Sequence, residues 1–258
     1  MTKIPVTICF FTSSQGHFKT SRYLETLDHL SAQIPLSQFA GLFAHVKVSP
    51  DQHPVAYEMM DQLEKRGFKI MTSEASWTHG QNHGIEYVKD LIKVYTDQEV
   101  AKAQYVWHQE DDWKIIPHQG DLLGYLGKAI QLLEDQPHVH SVRFARWSNE
   151  CARINDLPRK HGLNAHCVPL NETFDLSSDF SLNPHITRAR SMYHACLLMA
   201  RASNQEPHPE HSLSGAIKFL NATETPFAHF KPELISARHI GVPAGQEDPL
   251  DIPIYATL

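Results

Sequence analysis

No CxxC pair, no HExxH helix and no block of lysine and arginine occurs in this 258-residue chain. Each absence excludes a class. The four cysteines, Cys9, Cys151, Cys167 and Cys196, lack the spacing of a zinc ribbon or a disulfide framework, so reduced thiols in a cytoplasmic protein are the simplest expectation. The 18 histidines form no cluster at ligand spacing, which points to surface or loop positions for most of them and leaves a zinc site as the lesser alternative. A net charge of −6 without a basic stretch argues against a nucleic-acid binder that works by neutralising phosphates. No apolar run approaches the roughly 20 residues that span a bilayer, so any membrane contact is expected to be peripheral. Residues 1–11 are apolar but run into a turn without a cleavage site, and read as a first strand, not a signal peptide. The 12 glycines and 16 prolines are dispersed, no internal repeat is found, and no segment reads as a linker.

What is present is a core and an order. Hydrophobic residues make up 41% of the chain, enough for one large domain or two small ones. Apolar runs at 6–12, 39–48, 68–72, 105–108 and 139–145 read as strands. Between them lie helical stripes: Leu24, Leu27 and Leu30; Val55, Met59 and Leu63; Ile85, Val88, Ile92 and Tyr95; and residues 121–133. Gly67 is a natural stop for the second of these. The alternation predicts an α/β fold with a mostly parallel central sheet and helices on both faces. Residues 151–179 carry few periodic signals and read as a long loop. Helices are expected again at 188–202 and 210–220, and short strands at 227–230 and 235–240.

The segment Tyr105-Val-Trp-His-Gln-Glu-Asp-Asp-Trp113 is the most telling. A short apolar strand ends in three consecutive carboxylates, Glu110, Asp111 and Asp112. Acids at the end of a buried strand are costly unless something positive sits there. Hard divalent cations take oxygen ligands, and Mg²⁺ is often held by one or two carboxylates together with substrate phosphates. Open α/β sheets bind ligands at the carboxyl ends of their strands. A metal–diphosphate site is therefore favoured over a solvated acidic turn. Trp113 has two roles open to it, stacking on a sugar or base and packing in the core.

Three stretches together resemble the GT-A glycosyltransferases, nearest to the broad family 2 group. They are Val6-Thr-Ile-Cys-Phe-Phe-Thr-Ser-Ser14 with the following helix, Gly80-Gln-Asn-His-Gly-Ile85, and the strand ending in Glu110-Asp111-Asp112, which looks like the DxD motif with Glu in place of the first Asp. The likeness covers about residues 4–147 and weakens beyond. It implies a GT-A domain with a nucleotide-sugar-binding half at 1–147 and an acceptor-binding, catalytic half at 148–258. It also implies a nucleotide-diphosphate sugar donor, Mn²⁺ or Mg²⁺, and transfer to a hydroxyl on a glycan or lipid-linked acceptor, with inversion favoured and a cell-envelope product suggested by analogy. Asp112 is expected at the metal, accompanied by Glu110 or Asp111. Thr12, Ser13, Asn82 and Asp111 are expected at the nucleotide-sugar donor, although Gln81 stands where the family has a basic residue.

Two later segments fit the same scheme. In His208-Pro-Glu-His211, Glu210 matches the acid of the family's ED-type motif, with His211 where an Asp would follow. Glu210 is either the general base or a favourable acid in a first helical turn. In Arg238-His239-Ile240-Gly241, His239 matches a C-terminal metal or diphosphate ligand. Arg188, after an Asn-Pro turn, is a candidate for the donor sugar pocket or a solvent-exposed connection. No QxxRW-type motif is present, which disfavours a processive polymerase. A catalytically silent nucleotide-sugar or glycan-binding protein of the same fold is the alternative function. A metal-dependent hydrolase would need a His/Asp cluster that the sequence lacks.

Overall fold

A computed structural model of the chain describes residues 3–14, 22–75, 83–144, 167–178, 180, 182, 184–201, 209–223 and 225–240. Strand β1 (Ile4–Ser13) is buried along nearly its whole length. It pairs in parallel with β2 (Phe39–Val48) on one side and β4 (Tyr105–Glu110) on the other. A strand buried on both faces needs an unbroken apolar run, and β1 has one. Val6, Ile8 and Phe10 face one core layer while Cys9 and Phe11 face the other. Helices α1 (Arg22–Gln33), α2 (His53–Lys65) and α5 (Leu122–Asp135) cover the first layer. The second is covered by α3 (His83–Tyr95), the short α4 (Gln98–Ala101), α6 (Ala189–Arg201) and α7 (Pro209–Asn221).

The remaining strands are β3 (Lys69–Glu74), β5 (Trp113–Pro117), β6 (Ser141–Arg143), β7 (Cys167–Pro169), β8 (Phe174–Ser177), β9 (His185–Arg188), β10 (Phe227–Phe230) and β11 (Ile235–His239). Among the described residues the main sheet runs β3-β2-β1-β4-β9-β6-β10-β8-β7. The β3-β2, β2-β1, β1-β4 and β6-β10 pairs are parallel. The β4-β9, β9-β6, β10-β8 and β8-β7 pairs are antiparallel. Only β8 and β9 therefore run against the other seven strands, so the expected, mostly parallel sheet with helices on both faces is present. Strands from both sides of residue 148 share this one sheet. A second, two-stranded sheet joins β5 to β11 in antiparallel register, with His239 opposite Trp113.

Local chemistry sets several boundaries. Gly67 takes φ +88° just beyond the end of α2, a conformation open to glycine at little cost. Asp121 caps α5 by accepting from the Gly124 amide at 2.7 Å, an interaction of about 1 kcal/mol. One expectation needs correction. Residues 184–188 are not a loose connection, because β9 lies between β4 and β6 in the sheet interior. Of the histidines, His45, His108, His140, His185 and His229 are buried in or beside the sheet.

The thiol expectation also changes. Cys9 and Cys196 are free and buried, and burial pushes both thiols far above the usual range. Cys167, however, is disulfide-bonded. Structural disulfides belong to oxidising compartments, so the inference from reduced thiols to a cytoplasmic setting loses its premise. Among the described residues, no helix is long and apolar enough to cross a membrane.

One buried ion cluster ties α3 to the sheet. Lys47 Nζ on β2 meets Glu86 Oε2 at 2.9 Å and Asp90 Oδ2 at 3.0 Å. Removing the cation would leave two carboxylates in a poorly solvated place. Lys47→Met is therefore expected to destabilise the fold by about 3–5 kcal/mol. Lys65→Ala, which breaks an exposed pair with Asp61, should cost about 0.5 kcal/mol or less. Urea denaturation midpoints of the two variants check the contrast, and equal midpoints would refute it.

Candidate functional site

Because β1, β2 and β4 run in parallel, Ser13, Val48 and Glu110 end on the same edge of the sheet. Two residues, Asp111 and Asp112, separate β4 from β5. The carbonyls of this turn are satisfied one by one. The Gln109 amide donates to Glu110 O and Trp113 O, both at 2.9 Å. The Thr26 hydroxyl on α1 donates to Asp111 O at 2.8 Å. The Ile240 amide, directly after β11, donates to Asp112 O at 2.7 Å. Buried backbone acceptors need such partners, and here three segments of the chain supply them.

The acidic side chains differ in their surroundings. Asp111 is buried, and its Oδ2 accepts from the Thr12 hydroxyl at 2.6 Å. Thr12 and Asp111, both expected near the donor, are thus bonded to each other. Glu110 is partly buried; its Oε1 accepts from the Tyr87 hydroxyl at 2.6 Å and its Oε2 from the Trp113 indole at 3.2 Å. Burial first, and then the charges of Asp112, Asp111 and Glu210, push the Glu110 carboxyl up to about 8, with the Tyr87 hydrogen bond opposing. The push from Asp112 exceeds that from Asp111, as expected if Asp111 is turned toward Thr12.

Glu210 lies in the first turn of α7. Its Oε1 accepts from the Leu182 amide at 2.9 Å, and its charge is felt at Glu110. The β5–β11 pairing carries the main chain of His239 alongside Trp113, next to the acids. Ser13 ends β1 beside Lys47 and is partly buried. Asn82 lies outside the described residues.

Arg188 is not brought to this edge. It pairs with Tyr105 at the opposite end of β4, five residues from Glu110 and so about 17 Å away along the strand. Its guanidinium donates to the carbonyls of Val139 at 2.7 Å and Gln136 at 3.4 Å, closing the turn after α5. A role in a sugar pocket is replaced by a structural one. Trp113 is buried in the core and not presented to a ligand.

Several contributors had no sequence signature. Tyr87, His108 and Tyr95 line up behind Glu110. The Tyr95 hydroxyl is 2.7 Å from His108 Nδ1, and Tyr87 is 3.4 Å from His108 Nε2. Burial, with His185 beside it, holds His108 well below the usual histidine range, so the ring is neutral. Tyr95 is visible in the sequence only as part of a helical stripe.

The donor set fits a hard divalent cation. Its side-chain atoms are carboxylate oxygens, and their mutual repulsion, expressed at Glu110, is what a cation would relieve. A second grouping of Cys167, Asp175 and His229 brings ligand atoms within 4.8 Å of one another. Its sulfur is committed to a disulfide and does not offer a thiolate.

No protein-family model and no curated protein matches the chain. Among solved structures it is similar to mouse xyloside xylosyltransferase 1 in its apo form, at 9% identity, TM-score 0.46, over 85% of this chain and 82% of that one. It is similar to the mannosyltransferase PcManGT from Pyrobaculum calidifontis in complex with GDP-Man and Mn²⁺, at 13% identity, TM-score 0.49, over 94% of this chain and 59% of that one. A third is core-mannan synthase A from Aspergillus fumigatus in its Mn/GDP form, at 9% identity, TM-score 0.39, over 82% and 69%. At these scores the likeness is one of general layout.

A cation bound at Glu110 would compete with the proton that the raised carboxyl holds below about pH 8. Mn²⁺ uptake near pH 7 should therefore release protons, and its affinity should rise as pH rises toward 8. Titration calorimetry in buffers of different ionisation enthalpy reads this directly. Heats that do not depend on the buffer would contradict it.

Proposed function

We propose that this protein is a metal-dependent glycosyltransferase of GT-A type. It moves a sugar from a nucleotide-diphosphate donor to a hydroxyl acceptor, with inversion at the sugar carbon. A glycan or lipid-linked intermediate of the cell envelope is the acceptor class we favour. The observation that carries the reading is the meeting of Glu110, Asp111, Asp112 and Glu210 at the carboxyl edge of parallel strands. Ligands of open α/β sheets bind at that edge.

Glu110 and Asp112, with the His239 imidazole, would hold Mn²⁺ or Mg²⁺. When bound, the ion offsets the charge that develops on the diphosphate leaving group. Thr12, Ser13 and Asn82 would meet the nucleotide. Asp111, buried and bonded to Thr12, holds the turn that presents its neighbours. Glu210 would take the proton from the acceptor hydroxyl as that oxygen attacks the sugar, and the Leu182 amide orients its carboxylate for this.

A thermal-shift screen of nucleotide sugars with and without Mn²⁺ tests the donor. A ligand present at 100 times its Kd stabilises the folded state by about 2.7 kcal/mol. Asp112→Ala should abolish the Mn²⁺-dependent part of any shift, and His239→Ala should weaken it. Full metal response in Asp112→Ala would sink the assignment. Glu210→Gln keeps an oxygen for the Leu182 amide and should retain donor affinity. Its transfer rate should fall by about 10²–10⁴-fold. A donor that binds normally with no transfer in the parent protein would instead identify a silent binding protein.

A further inference from the structure

Glu110 stands where the resemblance would have an aspartate. Its longer side chain has one more rotatable bond to immobilise before it can serve as a ligand. The structure immobilises it at both oxygens, with the Tyr87 hydroxyl on Oε1 and the Trp113 indole on Oε2.

The Tyr87 contact is backed by a chain whose direction can be deduced. The Tyr87 hydroxyl donates to Glu110, and in the ionised form that would bind a cation the carboxylate only accepts, so the single Tyr87 proton is committed to it. The Tyr87 oxygen must then receive from His108, which places the His108 proton on Nε2. Nδ1 is left as the acceptor of the Tyr95 hydroxyl. Tyr95, His108 and Tyr87 thus all donate toward Glu110, and hydrogen bonds aligned in this way polarise one another. His108 is fully buried and stacks on His185 with ring centres 4.9 Å apart, so its ring has no room to turn. Both tyrosines sit on α3, which Lys47 anchors to β2.

We propose that Tyr87, backed by His108 and Tyr95, is a positioning residue that fixes the Glu110 carboxylate for a divalent cation, and that this clamp lets a glutamate serve where the family has an aspartate. The proposal rests on the cation site described under Proposed function. Its measurement needs neither donor nor acceptor: Mn²⁺ is titrated into the full chain and free Mn²⁺ is read by electron paramagnetic resonance. Tyr87→Phe keeps the ring and removes the proton, and should weaken Mn²⁺ binding by about 10–100-fold. Tyr95→Phe, at the far end of the chain, should weaken it by a smaller factor.

A double-mutant cycle separates positioning from general damage. Glu110→Asp draws the carboxylate back from Tyr87, so in that background Tyr87→Phe should add no more than about twofold. An equal loss in both backgrounds would mean that Tyr87 acts through the fold, and would overturn the proposal. Unchanged Mn²⁺ affinity in Tyr87→Phe overturns it too, while leaving the function reading intact. If Tyr87→Phe does not fold, the same cycle with Tyr95→Phe decides by the same criterion. A parent protein that binds no Mn²⁺ would overturn the cation site itself, and the clamp with it.

Discussion

Three adjacent carboxylates at the end of a buried strand can be held in place only if the turn that carries them has its own backbone satisfied. That constraint organises this molecule. The carbonyls of Glu110, Asp111, Asp112 and Trp113 accept from Gln109, Thr26 and the Ile240 amide. These donors come from β4 itself, from α1 and from the end of β11. The turn is therefore a junction of the first helix, the fourth strand and the C-terminal strand. Displacing any one of them strips a partner from a buried acceptor, at about 1–3 kcal/mol for each group.

The acids then fall into different roles by environment. Asp111 turns to Thr12 on the neighbouring strand and locks the edges of β1 and β4 together. Glu110 turns the other way, toward α3, into a field already negative from Asp112 and Glu210. Like charges gathered in a poorly solvated place are unfavourable in the folded chain alone. A site that tolerates this cost is prepared for a positive partner, and that is the physical case for a cation.

Helix α3 supports this arrangement from behind. One stripe, Glu86 and Asp90, pairs with Lys47. Another, Tyr87 and Tyr95, brackets His108 and reaches Glu110. The sheet partner of His108 is His185, on a strand that runs against its neighbours. The placement of the acidic edge thus depends on residues distant in sequence, the uncharged Tyr87 and Tyr95 among them.

Local order was legible in the chain because its signals are local. Alternation of apolar runs with helical stripes places β1, β2, β4 and most helices, and Gly67 marks a helix end through a backbone angle that suits glycine. The run of acids after residues 105–109 points to a strand-end site, since such a placement is otherwise costly. What pairing across the chain decides left no such trace. Strand β9 is four residues long and reads as a connection until β4 and β6 enclose it. Arg188 looks like a ligand in sequence, but antiparallel register puts it at the wrong end of β4. Tyr87 reads as one more aromatic on a helix, and acquires its meaning only from a hydroxyl 2.6 Å from Glu110. Composition and periodicity determined the layers and the acidic edge, because both follow from the character of neighbouring residues. Tertiary structure decided which acids face which partners, because that depends on distances between residues far apart in the chain, such as Thr12 and Asp111, 99 positions apart.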